Sequence, residues 1–335
     1  LYQYLLFSLP YLRDDPAANS CLSQLISQAY HQRCLDSFLI PIPLQNSTDL
    51  VGEMRNDGLR IGIISQHFRR HSVGWCCRSI LQGWAQLTPY LFRYQTGFAV
   101  ADDLTHAFQH IGAKFTDLSQ QTPQEIIEKL RADRIDVLID LDSLMNFKHA
   151  LLLAQRPAPV VVSWLGCEPP YISEKNYYLC DRRSHPEELQ KYYQEQLLYL
   201  PETGIAIKDF PVLAIERETL RQTLQIEPDT VVYLSVSPAK KLTPDLVKSQ
   251  VAILKQVPNS ILLHKGYGHR DTIYQAECEK AGVDPQRCRW LERQKLEEEH
   301  RLIYYVADVG LDTYPYNGGS HNLEFLWFNV PLVTR

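Results

Sequence analysis

From residue 59 to residue 328 the chain alternates short, β-branched apolar runs with amphipathic segments of helical period, and this rhythm limits the folds open to it. The strand-like runs are 59–65, 91–100, 135–142, 160–166 and 177–181; the helical segments among them are 73–86, 102–112 and 122–134. An irregular zone follows at 201–228. The alternation then restarts with strands at 231–235, 260–264, 287–291 and 309–312 and helices opening at Thr243-Pro244-Asp245 and covering 270–281, 296–306 and 320–328. Continuous apolar runs are the signature of strands buried on both faces, and strands separated by helices need crossovers, so the sheets are parallel with helices on both sides. Two such runs predict an α/β chain of two Rossmann-like domains. Some boundaries carry their own chemistry. Thr122 is an N-cap, Pro123 takes the first helical position and Glu125 reaches back to complete a capping box, while Val247, Val251 and Leu254 share one face of the helix after Thr243.

Residues 1–55 differ in texture. Tyr4, Leu5, Phe7 and Leu9, then Leu22, Leu25, Ile26 and Tyr30, have helical spacing, and Pro41, Pro43, Asn46, Ser47, Asn56 and Gly58 make 41–58 a linker. The domains expected are a helical segment at 1–55, an N-terminal Rossmann-like domain at 56–205 and a C-terminal one at 206–335. With 34 Lys+Arg against 39 Asp+Glu the net charge is −5, which argues against nonspecific nucleic-acid binding. The longest apolar runs, 158–166 and 251–257, fall well short of the ~18 residues of a membrane span. Eight cysteines (21, 34, 76, 77, 167, 180, 278, 288) include no Cys-x-x-Cys pair and no zinc-finger spacing, which reads as reduced core thiols in a cytoplasmic protein. The chain starts at Leu1 and shows no signal peptide.

Open parallel sheets bind ligands outside the carboxyl ends of their strands, so function is expected in the loops after Ser65, Asp140, Ser235 and Asp312. The run Asp312-Thr313-Tyr314-Pro315-Tyr316-Asn317-Gly318-Gly319-Ser320-His321-Asn322 leads from a strand through a glycine pair to a helix capped by Ser320, an arrangement that offers free N–H groups and a helix dipole to an anion. Many β-α turns look the same without binding one. Ser237-Pro238-Ala239-Lys240-Lys241 puts a lysine beside a helix start, either as a diphosphate contact or as a solvated surface charge. His71, in Gln66-His67-Phe68-Arg69-Arg70-His71-Ser72-Val73-Gly74, is either a proton-transfer group or a helix cap. Asp140-Leu141-Asp142 imitates a metal-binding Asp-x-Asp, but its Val/Ile-rich strand end favours a turn cap. His300 reads as a polar helix position, and Trp164 and Trp327 as core aromatics.

Together these loops resemble one family. Arg60-Ile61-Gly62-Ile63-Ile64-Ser65, His71-Ser72-Val73-Gly74, Arg156-Pro157-Ala158-Pro159-Val160, Ser163-Trp164-Leu165-Gly166, Val257-Pro258-Asn259-Ser260, Ala307-Asp308, Leu311-Asp312-Thr313-Tyr314-Pro315-Tyr316-Asn317-Gly318 and Leu326-Trp327 are similar, in order and spacing over about 59–335, to the O-GlcNAc transferase/SPINDLY catalytic region of glycosyltransferase family 41. The resemblance implies a GT-B fold, two Rossmann-like domains facing a cleft, with the second apparently truncated at Arg335, and TPR-type repeats ahead of it. It also implies inverting, metal-independent transfer of a sugar, GlcNAc foremost, from a nucleotide-sugar to Ser/Thr hydroxyls of proteins recruited through those repeats. It implies no cofactor beyond the donor. UDP-GlcNAc, UDP-glucose and GDP-fucose are all used by relatives.

By the same resemblance His71 is a catalytic residue proposed as the base, and Lys241 meets the donor diphosphate during catalysis. His300 lies near the nucleotide base. Asn317, Gly318, Gly319, Ser320, His321 and Asn322 form the diphosphate loop, and Glu324 stands where an acidic residue contacts the ribose. The chain departs from the family in two places. Ser320-His321 replaces a Thr-Thr pair, and Cys167-Glu168-Pro169-Pro170 replaces a Tyr-Pro-Gly-Thr-like loop. These departures support a second reading, a family member that binds protein or nucleotide without transferring sugar.

Overall fold

The structure, a computed structural model, describes residues 2–37, 58–97, 100–166, 169, 171–268, 270–292, 294 and 296–335. The linker at 41–57 and Cys167, Glu168 and Pro170 of the altered loop lie outside the described residues. The described residues of Leu1–Leu9 and Asp15–Lys208 form one compact unit, and those of Pro10–Asp14 and Asp209–Arg335 a second.

The first unit begins with α1 (Tyr2–Leu12) and α2 (Pro16–Ser37). Its sheet is β1 (Ile61–Ser65), β2 (Leu91–Gln95), β3 (Lys114–Asp117), β4 (Val137–Asp140), β5 (Val160–Ser163), β6 (Tyr177–Asp181) and β7 (Gln196–Leu200). The crossover helices are α3 (Ser72–Leu87), α4 (Asp103–Gln109), α5 (Pro123–Ala132) and α6 (Phe147–Ala154). All seven strands are parallel, in the order β3-β2-β1-β4-β5-β6-β7. Neighbouring strand residues feed opposite faces, as the period of two requires. Ile63, Leu91 and Ile139 join Phe68, Leu81, Phe108 and Trp164 on one side, while Ile64, Phe92 and Leu138 join Ile126, Ile127 and Leu130 on the other. Each such side chain, taken fully out of water, contributes roughly 1.5–3 kcal/mol. The α5 capping box is present as expected: Thr122 Oγ1 accepts from the Glu125 N–H, and Glu125 Oε2 accepts from the Thr122 N–H at 2.7 Å.

The second unit holds α7 (Arg217–Thr223), β8 (Val231–Val236), α8 (Pro244–Gln256), β9 (Ser260–Lys265), α9 (Asp271–Ala281), β10 (Cys288–Leu291), α10 (Glu297–Arg301), α11 (Ile303–Val306), β11 (Val309–Leu311), α12 (Ser320–Trp327) and β12 (Leu332–Val333). Its five strands are also parallel, in the order β10-β9-β8-β11-β12. Val232, Leu234 and Leu263 pack on Tyr304 and Phe325 on one face, and Leu262 and Leu311 on Val251, Leu254 and Tyr274 on the other.

Several expectations need correcting. The helix at 296–306 is two short helices, because around Leu302 the backbone switches to i−3 bonds (Leu302 N–H to Glu299 O, Tyr305 N–H to Leu302 O), which tighten and re-aim it. On α2 the buried face is Ser20, Ser23 and Ser27, whereas Leu22 and Leu25 are exposed; Ser20 Oγ donates to Tyr192 O at 2.6 Å. Trp164 is a core residue, but Trp327 is exposed, edge-on to Phe210. Cys21 is exposed and Cys288 half-buried; Cys76, Cys77, Cys180 and Cys278 are buried thiols. Among the described residues no helix is long and apolar enough to cross a membrane.

Candidate functional site

In each sheet the strand order reverses direction beside the first strand, and such switch points open a crevice at the strands' carboxyl ends. In the second unit the switch lies between β8 and β11. The chain leaves β8 through a 3-10 turn, Ala239–Lys241, and leaves β11 into the loop that ends at α12. Lys241 Nζ donates to Asn317 O at 2.7 Å and stands 4.3 Å from the centre of the Tyr316 ring, so the expected lysine and the expected loop do meet.

Asp312 organises that loop. Its Oδ1 accepts from the backbone N–H of Thr313 (2.7 Å) and Gly318 (2.8 Å), and its Oδ2 from Asn317 Nδ2 (3.0 Å), Asn322 Nδ2 (2.7 Å) and Thr334 Oγ1 (2.8 Å). Burial pushes the Asp312 pKa up, but these donors outweigh it and hold the carboxyl below its ordinary range. A Cβ on Gly318 would fall 2.3 Å from Asn322 Oδ1, so a larger residue here must push the Asn322 amide aside. The cap of α12 is Gly319, not Ser320, and no side chain closes it. Asn322 N–H is spent on Gly319 O at 3.0 Å and Gly318 N–H on Asp312. The N–H groups left for an anion in the first turn are therefore those of Ser320 and His321, which have no intrahelical acceptor.

Glu324 and His300 also belong to this cluster. Glu324 is buried; its Oε1 accepts from Arg301 Nε at 2.9 Å and its Oε2 from Tyr304 Oη at 2.6 Å, so this carboxylate already braces α12 against α10 and α11. A ribose contact has only the remaining lone pairs to use. The His300 and His321 rings are 6.3 Å apart, and burial pushes the His321 pKa down, which keeps that imidazole neutral. His300, His321 and Glu324 present ligand atoms within 4.8 Å of one another, but the guanidinium of Arg301 on Glu324 opposes a cation there. Lys265, which the sequence reading missed, ends β9 with Nζ 3.4 Å from His300 O; burial lowers its pKa to about 8. Its position at a strand's carboxyl end was the available signal.

In the first unit the switch lies between β1 and β4, and the loops after Ser65 and Asp140 meet. Both aspartates of the Asp-x-Asp are fully buried and engaged by the protein's own donors. Asp140 accepts from the N–H groups of Asp142 and Ser143 (3.0 Å each) and from His149 Nδ1 at 2.6 Å, and His149 Nε2 meets Thr96 Oγ1 at 2.7 Å. Burial opposes charge on His149, yet Asp140 and Asp142 outweigh it and raise its pKa above the ordinary imidazole value. Asp142 Oδ1 accepts from Ser65 Oγ (2.7 Å) and bonds His67 Nδ1 (2.9 Å), and its Oδ2 accepts from Gln66 N–H (2.5 Å). Burial acts to raise the Asp142 pKa, but His67, His149 and Gln66 together bring it below the ordinary range.

His71 caps α3: its Nδ1 accepts from the Val73 N–H at 3.3 Å, and its ring stacks on His67 with centroids 3.8 Å apart. Burial, followed by the charges of His67 and Arg69, lowers its pKa to about 3. An Nδ1 that accepts leaves the neutral ring's proton on Nε2, so in this structure His71 offers a hydrogen-bond donor there. Two glycines compact this corner: a Cβ on Gly74 would lie 2.2 Å from Arg69 O, and one on Gly166 2.3 Å from the Asp142 carbonyl.

Comparison with known proteins gives these loops a context. The family model Glycosyl transferase family 41 matches residues 19–213 and 213–335. A tomato (Solanum lycopersicum) protein named probable UDP-N-acetylglucosamine--peptide N-acetylglucosaminyltransferase SPINDLY is 26% identical over 285 residues, covering 82% of this chain and 30% of its own length. The Arabidopsis thaliana protein of the same enzyme name designated SEC is also 26% identical, with 82% and 29% covered. Among solved structures, an O-GlcNAc transferase K341M mutant from Thermobaculum terrenum superposes with a TM-score of 0.81 at 24% identity, covering 99% of this chain and 62% of that one. That likeness establishes the shared fold, the GT-B class of two parallel α/β units. The chain thus spans under a third of the length of the curated relatives it matches.

Proposed function

Because the chain belongs to glycosyl transferase family 41, we propose that it transfers N-acetylglucosamine from a UDP-linked donor to serine and threonine hydroxyls of proteins, with inversion and without a metal. The observation that carries this reading is the bond from Lys241 Nζ to Asn317 O, which puts a cation on the loop that opens α12. As the anomeric C–O bond breaks, charge gathers on the departing diphosphate. Lys241 Nζ lies against this loop through its bond to Asn317 O, and the Ser320 and His321 N–H groups stand on the same loop. Fixed donors of this kind are worth about 3 kcal/mol or more each in comparable sites. They supply the role a divalent ion plays elsewhere, which supports a metal-free mechanism. The acceptor hydroxyl sheds its proton as it attacks, and the imidazoles at the β1/β4 switch point are the groups of the first unit with the chemistry to receive it.

The names of the relatives support UDP-N-acetylglucosamine as donor and peptide hydroxyls as acceptors. Recruitment of acceptor proteins through repeats outside this chain, and a cytoplasmic setting in keeping with its free thiols, belong to the same proposal. The test is incubation of the full-length protein with labelled UDP-GlcNAc, labelled GDP-fucose and protein acceptors, with and without EDTA. Label from UDP-GlcNAc on Ser/Thr, undiminished by EDTA, is expected. Label from GDP-fucose alone contradicts the donor assignment, and loss in EDTA contradicts the metal-free mechanism. UDP binding with no transfer from either donor favours the reading as a binding module.

A further inference from the structure

The tautomers of the two stacked histidines differ, and the difference assigns their roles. His67 Nδ1 faces Asp142 Oδ1 at 2.9 Å. An ionised carboxylate only accepts, so that nitrogen carries the proton and the lone pair is left on Nε2. Among the described residues no protein atom takes His67 Nε2. His71 is the mirror case, with its lone pair spent on the Val73 N–H and its proton on Nε2. We propose that His67, oriented by Asp142, is the group that takes the acceptor's proton, and that His71, stacked on it, donates a hydrogen bond rather than acting as the base. This rests on the transferase reading above.

The arrangement has the logic of a carboxylate-backed imidazole in nucleophilic catalysis, where the acid fixes the ring and steadies its imidazolium. The acceptor O–H gives its proton to His67 Nε2 while its oxygen forms the bond to the anomeric carbon. The bond from that carbon to the diphosphate oxygen breaks with its electron pair going to the nucleotide, and the imidazolium later returns its proton to water. Asp142 is itself fixed, by Ser65 Oγ and the Gln66 N–H, so the oxygen that holds the His67 ring is held in turn. The ionisable groups around His67 are Asp142 and, through it, Asp140, His149 and Cys77, with His71 and Arg69 on its own loop. Asp142 is the carboxylate that bonds His67 directly, and His149 stands 3.8 Å from its other oxygen.

The decisive comparison is the pH profile of transfer by the full-length protein and two variants. His67→Asn keeps an N–H toward Asp142 but has no Nε2, and His71→Asn keeps a cap for α3 but has no Nε2–H. For His67→Asn a ~10²–10⁴-fold fall in kcat is expected, with loss of the acidic limb of the profile, unchanged UDP affinity by calorimetry and an unchanged Tm. His71→Asn is expected to be slower while keeping that limb. An acidic limb that survives His67→Asn and disappears in His71→Asn overturns the assignment. Nitrogen-15 NMR of the histidines decides it independently of turnover. Neutral His67 protonated on Nδ1 and His71 on Nε2 support the assignment, and the reverse tautomers overturn it. A wild-type protein that transfers nothing contradicts the transferase reading and this assignment with it, whereas reversed tautomers in an active protein overturn this assignment alone.

Discussion

At the scale of single residues, Asp312 does more for the donor loop than any residue of the glycine pair, because five donors converge on its two oxygens. Asp312→Asn is expected to cost about 1–3 kcal/mol, since an amide set among donors leaves some of them unmet, and to weaken UDP binding at least ~10-fold. The folded-state pKa is depressed, so the stabilisation is complete above the ordinary carboxylate value and is lost as pH falls from ~4 through the lower, folded value. Thermal unfolding should therefore separate the two proteins at pH 7 and bring them together in acid; a gap that is constant with pH contradicts this account. Asp312 was visible in the sequence as the end of a strand, yet its importance was not, because four of its partners lie five to twenty-two residues further on. The same holds more strongly for His67, whose role depends on a carboxylate 75 residues away. His71 drew attention through its place before a helix, and that place is also what commits its Nδ1 to the cap.

At the scale of elements, local chemistry was legible wherever it was self-contained. The α5 capping box and the Thr243 cap of α8, with Pro244 at its first position, need only neighbouring residues and fall where the sequence put them. Three strands escaped notice, β3 and β7 at the two edges of the seven-stranded sheet and the two-residue β12 at an edge of the five-stranded one. Lys-Phe-Thr-Asp of β3 lacks the continuous apolar run that marks an inner strand, and Gln-Leu-Leu-Tyr-Leu of β7 is half-exposed despite its apolar run. The break between α10 and α11 was illegible for a tertiary reason. Arg301 and Tyr304 must both reach Glu324 on α12, and Arg301 Nη1 also donates to Pro211 O at 3.1 Å, so the kink serves a pair of contacts that no local propensity encodes. The Arg301–Glu324 pair is buried on both sides, and removing one partner strands a charge. Arg301→Met is expected to destabilise the protein by ~3–5 kcal/mol, read by denaturant unfolding. A loss below ~1 kcal/mol would mean that Glu324 is free for other work in the donor pocket.

At the scale of the whole molecule, the β-α rhythm was enough to give two parallel sheets and to point to the loops after β1, β4, β8 and β11. The structure brings those loops together in pairs, one pair in each unit. The arrangement of donors inside each pair was not legible, because hydrogen-bond partners depend on rotamers and tautomers that a linear pattern does not carry. The central claim is that Lys241 and the Asn317–His321 loop form a nucleotide-diphosphate site. Calorimetric titration of the full-length protein with UDP and then GDP, in EDTA, for wild type and Lys241→Ala, tests it most directly. The account predicts UDP binding without metal, weaker or absent GDP binding, and a loss of at least ~10-fold in UDP affinity in the variant. Equal UDP affinity in the two folded proteins, or binding by neither, would contradict it.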